Sequence, residues 1–314
     1  MDAAVSGDKP ALTRIGALMD GDRLIAELDE PLQASAPINF ANAGELCEHG
    51  SGATGCYCYH AIWQYLRLAN VTPAVRVDGA LFVDAAERFA RAGRLNRILI
   101  SATADYSMLA HLAFGAARAG KSVEVDVLDR CGTSLAINAW YGRERGISVR
   151  VFKGDVLAAE PDRQYDLICT HSFLPFISDP AQMFRRWARW LVAGGHVCFS
   201  NRVSPKPIPF NEQDHEKRIA AITRETLDGL RDRGVLLPCP VEDFAVLIRQ
   251  FVEKRRHDFP AFPLEIIQHW MTDAGLMPQL ALDVKEVLGG RPDKSVRSGS
   301  IVGRPRIWFQ AMRP

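Results

Sequence analysis

Three aspartates lie at the ends of apolar, strand-like segments in the centre of the chain: Asp105, Asp129 and Asp155. Carboxylates accept hydrogen bonds from the hydroxyl and amino groups of a nucleoside, and a parallel sheet binds its ligand at the carboxyl ends of its strands. The spacing therefore predicts a nucleotide pocket. The first turn, Ser101 to Asp105, contains no glycine, although a close approach of backbone to ligand often requires one.

A histidine follows the fourth strand-like segment, which runs from Asp166 to Thr170. The side chain of His171 has an intrinsic pKa near neutrality, so it can act as a general base or orient a nucleophile. We therefore identify His171 as the candidate catalytic residue. The alternative is a histidine with a purely structural hydrogen bond.

Cysteine and histidine, the usual zinc ligands, crowd one short region that contains Cys47, His49, Cys56, Cys58 and His60. Only one residue separates Cys56 from Cys58, whereas zinc knuckles have two, and no second cysteine pair follows. The spacing predicts no metal site.

The segment from Tyr57 to Ala69 has the periodicity of an amphipathic helix, with Tyr59 and Trp63 on its apolar face. Its other side carries three polar residues at intervals of four and three: His60, Gln64 and Arg67. This polar stripe either covers a ligand or is an ordinary surface face. We expect substrate binding by His60, Tyr59 and Trp63.

The composition is that of an ordinary globular protein, with 314 residues, 47% hydrophobic content and a net charge of +1. The chain has no overall excess of positive charge for binding nucleic acid, so small molecules are the expected partners. The sequence shows neither a secretion signal nor a membrane-spanning segment. Seven scattered cysteines, an odd number, favour a reducing cytoplasm over a disulfide framework.

Residues 1–95 are predicted to form an N-terminal helical cap, because they contain helical periodicity and no convincing strand. From residue 96 onwards strands and helices alternate, which predicts an α/β fold with a doubly wound, mostly parallel sheet. Residues 202–262 interrupt the alternation with a predicted helical pair that can act as a lid. The second domain is thus 96–314, with the lid inserted.

The order and spacing of these elements over residues 96–202 resemble the core of a class I S-adenosylmethionine-dependent methyltransferase, which has a Rossmann-like sheet. The resemblance rests on the acids after the second and third strands, the fourth strand with its aromatic-Asp opening, and the turn at Gly194 and Gly195. It implies that Asp129 binds the ribose and Asp155 the adenine. The residues that it implies for cofactor binding are Ser101, Ala102, Asp105, Asp129, Arg130, Asp155, Val156 and Thr170.

The first loop departs from the family pattern, because alanines stand where glycines are usual. Alanine is tolerated there if φ stays negative. Asp105 either replaces the usual acid and binds the amino group of the cofactor, or caps the following helix. Tyr106 either turns its ring away from the cofactor or lines the pocket.

The resemblance implies transfer of a methyl group from S-adenosyl-L-methionine to an O or N atom of a small molecule. One alternative is a methyltransferase-like fold without methyl transfer that serves as a binding module. A nicotinamide dehydrogenase is the weakest alternative, because it needs a glycine-rich first turn. The oligomeric state is open, with a homodimer among the alternatives.

Overall fold

The computed structural model describes residues 31–48, 56–71, 74–203, 212–254, 262–284 and 305–314. Residue His49, the prolines at 205, 207 and 209, and the glycine-rich loop predicted between residues 289 and 303 lie outside these ranges. Within them no helix has the length and apolar character needed to cross a bilayer.

The described chain contains a seven-stranded sheet in the order β3-β2-β1-β4-β5-β7-β6. The strands are β1 Arg97–Ser101, β2 Glu124–Asp129, β3 Ser148–Lys153, β4 Tyr165–His171, β5 Leu191–Arg202, β6 Met277–Asp283 and β7 Arg306–Met312. Strands β1 to β5 pair in parallel, whereas β7 is antiparallel to both β5 and β6. The predicted doubly wound, mostly parallel sheet is confirmed.

The helices are α1 Leu32–Leu46, α2 Tyr57–Leu68, α3 Ala74–Arg91, α4 Ser107–Arg118, α5 Gly132–Arg145, α6 Pro180–Trp190, α7 Glu212–Asp232, α8 Val241–Lys254 and α9 Leu264–Asp273. Helices α3, α4 and α5 share a hydrophobic core with one face of the sheet, and α6 and α9 share another with the opposite face. Central strands covered on both faces need continuous apolar runs such as Ile98-Leu99-Ile100.

The predicted cap and the predicted lid form one helical layer with a core of its own. Tyr65 of α2 packs edge-on against Phe244 of α8 at 5.4 Å between ring centroids, and Tyr59 stacks on Phe251 at 5.6 Å. Apolar residues of α1 and α7 join the same cluster. The charged face of α7 therefore remains outside while its few apolar residues hold it to the cap.

Helix α3 packs on the sheet and not with the rest of the predicted cap. The ring of Phe82 packs edge-on against Trp308 of β7, with 4.9 Å between the ring centroids. The ring centroid of Phe89 lies 4.3 Å from that of His196, on β5. A division of the chain at residue 95 thus separates α3 from its own core. The fifth strand also begins at Leu191, before the predicted His196, so the Gly-Gly pair lies within it.

Candidate functional site

The loop after β1 adopts a backbone conformation that the sequence did not predict. Ala102 has φ +66°, in the left-handed region, so the condition of negative φ, under which an alanine is tolerated without strain, is not met here. Its amide donates to the carbonyl of Leu128 at 2.8 Å, which holds the turn against the end of β2. Left-handed backbone costs an alanine about 1–2 kcal/mol, so neighbouring contacts must hold this turn in place.

Asp129 joins this loop to the loop after β2. Its Oδ2 accepts from the amide of Thr103 at 2.9 Å, and its Oδ1 accepts from the amide of Cys131 at 2.7 Å. Burial raises the pKa of the Asp129 carboxyl above its ordinary value, although both amides oppose the shift. The carboxylate lies at the predicted strand end, and each oxygen keeps a lone pair for a ligand hydroxyl.

Asp105 forms a buried ion pair with the helical layer. Its side chain has 0% exposure, and its Oδ2 accepts from Nη1 of Arg67, on α2, at 2.7 Å. Its Oδ1 accepts from the amide of Ser107 at 2.9 Å, in the first turn of α4. Burial opposes the charge, but Arg67 and that amide hold the pKa of Asp105 below its ordinary value.

Of the two alternatives for Asp105, this pairing favours a role at the start of α4 over binding of the amino group of a cofactor. The carboxylate is already neutralised by a guanidinium from α2, and one of its oxygens caps the start of α4. A second cation at a fully buried carboxylate would be left largely uncompensated.

Tyr106 turns away from the pocket. Its ring has 0% exposure and stacks on Tyr141 of α5 at 4.4 Å with an interplanar angle of 3°. Its hydroxyl lies 3.1 Å from Oγ of Ser35, on α1. The aromatic ring that replaces a family glycine therefore serves the core and anchors the cap.

The end of β3 presents a half-exposed carboxylate. Asp155 is 40% exposed at its side chain, and its Oδ1 accepts from the amide of Leu157 at 2.8 Å. Its Oδ2 lies 3.8 Å from Nη1 of Arg130, which is 72% exposed. Val156 is 3% exposed and packs in the core, so only its backbone can face a ligand.

Two buried hydroxyls lie side by side at the ends of β1 and β4. The pairing of Ile100 with Cys169 places Ser101 beside Thr170, and both side chains are almost fully buried. Neither Oγ of Ser101 nor Oγ1 of Thr170 has a hydrogen-bond partner among the described residues. Buried hydroxyls normally have partners, so this pair fits a polar ligand at the strand ends. With Asp129 and Asp155 alongside, the residues present fit a nucleoside cofactor.

His171, the last residue of β4, contacts a carboxylate that sequence reasoning missed. Its Nε2 lies 2.6 Å from Oδ2 of Asp78, on α3. Nη1 of Arg306, at the start of β7, contacts the same carboxylate oxygen and lies 2.8 Å from Nε2. Despite burial, Arg306 and His171 lower the pKa of Asp78 to about 2.

Two tautomers of His171 are compatible with these contacts. A guanidinium can only donate, so a bare Nε2 would accept from Nη1 of Arg306. In the tautomer that pairs with the carboxylate, Nε2–H of His171 and Nη1 of Arg306 both donate to Oδ2 of Asp78. Nδ1 of His171 then carries the free lone pair. The sequence contained no local signal for Asp78, because it lies 93 positions before His171.

The three predicted substrate residues fall in two places. Tyr59 stacks on Trp63 at 5.2 Å and on Phe251 of α8, so this pair joins the cap to the lid helices. His60 is 5% exposed, and its Nδ1 lies 3.3 Å from the carbonyl of Ala104. Contact of His60 with substrate stays a prediction.

The polar stripe of α2 is buried against the first loop and the cap. Gln64 has 1% exposure and accepts from Oγ of Ser35 at 2.9 Å, while Arg67 pairs with Asp105. The alternative of an ordinary surface face is therefore wrong.

Asp126, the rival acid within β2, has a structural role. Its side chain is 0% exposed and pairs with Arg150 at 2.8 Å and with Arg163 at 2.5 Å. The hydroxyl of Tyr165 also donates to it at 2.8 Å. These three partners occupy the carboxylate, so it is not available to a ligand.

Residues 109–199 match the family model described as a methyltransferase domain. The match begins in α4 and ends in β5, so it includes the ends of β2, β3 and β4. A search of curated proteins gives no match.

Several solved methyltransferase structures share the fold at low identity. The N-methyltransferase NodS from Bradyrhizobium japonicum WM9 is 11% identical, with 74% of this chain and 94% of that chain covered and a TM-score of 0.42. A putative sarcosine dimethylglycine methyltransferase from Galdieria sulphuraria is 13% identical, with coverages of 89% and 98% and a TM-score of 0.44. Geranyl diphosphate C-methyltransferase from Streptomyces coelicolor A3(2) is 12% identical, with coverages of 74% and 76% and a TM-score of 0.45. Such likenesses are too low to carry an argument about the substrate.

Proposed function

We propose that this chain is a class I S-adenosylmethionine-dependent methyltransferase that uses S-adenosyl-L-methionine as its cofactor. In this proposal it transfers the methyl group to an oxygen or nitrogen atom of a small-molecule acceptor. The observation that carries the proposal is the pairing of His171 with Asp78 at the end of β4, beside the unpartnered hydroxyl of Thr170.

The strand ends hold the cofactor in this proposal. The remaining lone pairs of Asp129 would accept hydrogen bonds from the ribose hydroxyls, and Asp155 would accept from the adenine amino group with Arg130 beside it. Ser101 and Thr170 offer their buried hydroxyls to the polar part of the ligand nearest β1 and β4. When bound, the cofactor supplies an electrophilic methyl group on a sulfonium.

His171 acts as the general base. Asp78 fixes the tautomer whose Nδ1 is unprotonated, and 22% of the His171 side chain is exposed, so an acceptor can reach it. Nδ1 would take the proton from an acceptor hydroxyl or ammonium and so leave a lone pair available on the acceptor atom. That atom would receive the methyl group from the bound cofactor, which would leave as S-adenosylhomocysteine. Asp78 and Arg306 keep the ring oriented, so they are positioning residues.

The helical layer of α1, α2, α7 and α8 covers the acceptor side. It supplies the aromatic stack of Tyr59, Trp63 and Phe251 between the cap and the lid helices. An apolar, helix-covered approach suits a small acceptor, because closing an active site excludes the water that would compete for contacts with it. The seven free cysteines support a reducing compartment such as the cytoplasm.

Methyl transfer is tested with S-adenosylmethionine whose methyl group is deuterated. The purified full chain is incubated with a metabolite extract that still contains protein and nucleic acid, and the fractions are analysed by mass spectrometry. We expect the label in the small-molecule filtrate and equimolar S-adenosylhomocysteine. Label confined to protein or nucleic acid would overturn the assignment of a small acceptor.

The site residues are tested by calorimetry with S-adenosylhomocysteine and by turnover. Asp129→Asn removes a charged acceptor for ribose hydroxyls, so we expect affinity to fall by roughly 10- to 100-fold. His171→Asn should retain affinity within about twofold and lower turnover by at least about 100-fold. His269→Asn, at an exposed histidine on α9, is the matched control and should change neither quantity. Unchanged turnover in His171→Asn would remove the base from the mechanism.

A further inference from the structure

Four side chains from distant parts of the chain converge beside the cofactor loops: Cys47, Cys56, His60 and Cys131. Their ligand atoms all lie within 4.8 Å of one another, and three of the four residues are buried. Cys47 follows the end of α1, Cys56 and His60 lie at the start of α2, and Cys131 precedes α5. We propose that these residues form a structural Zn²⁺ site with three thiolates and one imidazole.

The spacing of the sulfur atoms fits a tetrahedral metal. Sγ of Cys131 lies 3.6 Å from Sγ of Cys47 and 3.5 Å from Sγ of Cys56. With Zn–S bonds of about 2.3 Å, the edge of a regular tetrahedron is about 3.8 Å. A disulfide would require about 2.05 Å, and the three cysteines are free. Small shifts of the side chains therefore create the site, without movement of the backbone.

The histidine is oriented as a zinc ligand. Cys56 and His60 are four residues apart, so they project from the same face at the start of α2. Nδ1 of His60 lies 3.3 Å from the carbonyl of Ala104, which can accept the Nδ1–H. That hydrogen bond selects the tautomer with a free lone pair on Nε2, the arrangement usual for metal-bound histidines.

A second contact supports the thiolates. Oγ1 of Thr133, in the first turn of α5, lies 3.0 Å from Sγ of Cys47. The one proton of this hydroxyl has two acceptors within reach, the Cys47 thiolate and the carbonyl of Asn42 at 3.2 Å. When the hydroxyl donates to the thiolate, it orients the ligand and moderates its charge.

The site departs from the expectation of no metal, which rested on the spacing of Cys56 and Cys58. Cys58 is two residues beyond Cys56 in α2, so it points away from the cluster. The fourth ligand is instead Cys131, 84 positions from Cys47 in the chain. Because all four positions are filled by the protein, the site is closed and structural and has no open position for catalysis.

The metal would hold the cap onto the cofactor loops. One ligand, His60, contacts the carbonyl of Ala104 in the first loop. Another, Cys131, donates its amide to Asp129. The site therefore ties α1 and α2 to both loops at the ends of β1 and β2.

Metal content of the full chain tests the proposal. The protein is expressed with added zinc, purified under reducing conditions without a metal-affinity column, and measured by plasma mass spectrometry. We expect about one zinc per chain, and a loss of at least about tenfold in Cys131→Ser. Cys58→Ser, which alters a neighbouring cysteine of α2, should keep the wild-type content.

Cobalt substitution of the wild type gives a readout that does not depend on the folding of a variant. A tetrahedral site with three thiolates shows intense visible d–d bands and a thiolate-to-cobalt charge-transfer band, and one equivalent of zinc should abolish both. Absence of these bands together with less than about 0.1 zinc per chain would overturn the site. So would zinc retained at the wild-type level in Cys131→Ser, or a disulfide within the cluster in freshly reduced protein. None of these measurements depends on methyl transfer.

Discussion

The buried ion pair between Arg67 and Asp105 gives the sharpest stability prediction. The two side chains are 7% and 0% exposed, and 2.7 Å separates Nη1 from Oδ2. At an effective dielectric constant near 20, their attraction is roughly 4–6 kcal/mol before the cost of desolvation. Arg67→Met keeps most of the volume but removes the cation, so the buried carboxylate keeps its hydrogen bonds from Ser107 without a balancing charge. We expect a loss of about 3–5 kcal/mol in the free energy of unfolding.

A double-mutant cycle separates the ion pair from other effects of substitution. Arg67→Met, Asp105→Asn and the double variant are unfolded in urea and followed by tryptophan fluorescence and circular dichroism. Because Asp105→Asn removes the unpaired charge, the double variant should be more stable than the sum of the single losses predicts, by about 1–3 kcal/mol. Arg249→Met, at an exposed pair with Glu216 on the surface of α7 and α8, should leave the midpoint unchanged.

The contribution of residue 105 to stability should change with pH in opposite directions in the wild type and in Arg67→Met. In the wild type the folded pKa of Asp105 is below its ordinary value of 3.8, so its stabilisation is present above that value and is lost as pH falls through the folded pKa. In Arg67→Met only the hydrogen bonds from Ser107 still oppose burial, so the folded pKa of Asp105 rises and protonation stabilises the variant. The difference between the two proteins should therefore be largest at pH 7 and shrink towards pH 4. Additive single losses, or a difference that does not change with pH, would refute the reasoning.

Three further perturbations test the backbone and the core by urea unfolding. Ala102→Gly should be about 1–2 kcal/mol more stable than Ala104→Gly, because glycine removes left-handed strain only at residue 102; equal stabilities would refute that strain. Gly115→Ala should lower the free energy of unfolding by roughly 1–3 kcal/mol, because the added Cβ would overlap a carbonyl oxygen of α3. Gly44→Ala should raise it by up to about 1 kcal/mol, because an added Cβ there meets no atom within 4 Å. Asp126→Asn should lower the free energy of unfolding at pH 7 by about 2–3 kcal/mol, because the buried carboxylate pairs with the guanidinium groups of Arg150 and Arg163. Burial opposes the charge, but these groups lower the pKa of Asp126, so the loss should shrink as pH falls below 3.8.

Local periodicity predicted most of the elements. The last strand, Arg306–Met312, has the predicted bounds, and α2 ends one residue before the predicted Ala69. The helix was predicted because its apolar residues recur about every 3.6 residues. The strand was predicted as a short, mostly apolar run, and the structure buries it continuously from Ile307 to Ala311. The packing of α3 on the sheet was missed, because periodicity shows that a helix has an apolar face but not which surface covers it.

For the candidate site, the sequence predicted the positions of residues at strand ends but not their partners in space. Asp129 and His171 are the last residues of β2 and β4, Asp155 follows β3, and parallel strands bring these ends to one edge. The partners of the site residues were not predictable: Arg67 neutralises Asp105 from 38 positions away, and Asp78 approaches His171 from another helix. The free energy of a carboxylate depends on charges through space, and spacing along the chain does not report them.

The sequence by itself determined the alternation of strands and helices and the strand-end acids, because both follow from short-range patterns of apolar and polar residues. The class of cofactor was implied by the resemblance to a known family. Tertiary structure decided which acids remain open to a ligand, which one is neutralised in the core, and that Cys131 joins Cys47, Cys56 and His60. The physical reason is that hydrogen bonding, ion pairing and metal coordination act over a few ångströms. Packing of the helical layer on the sheet brings those groups within reach.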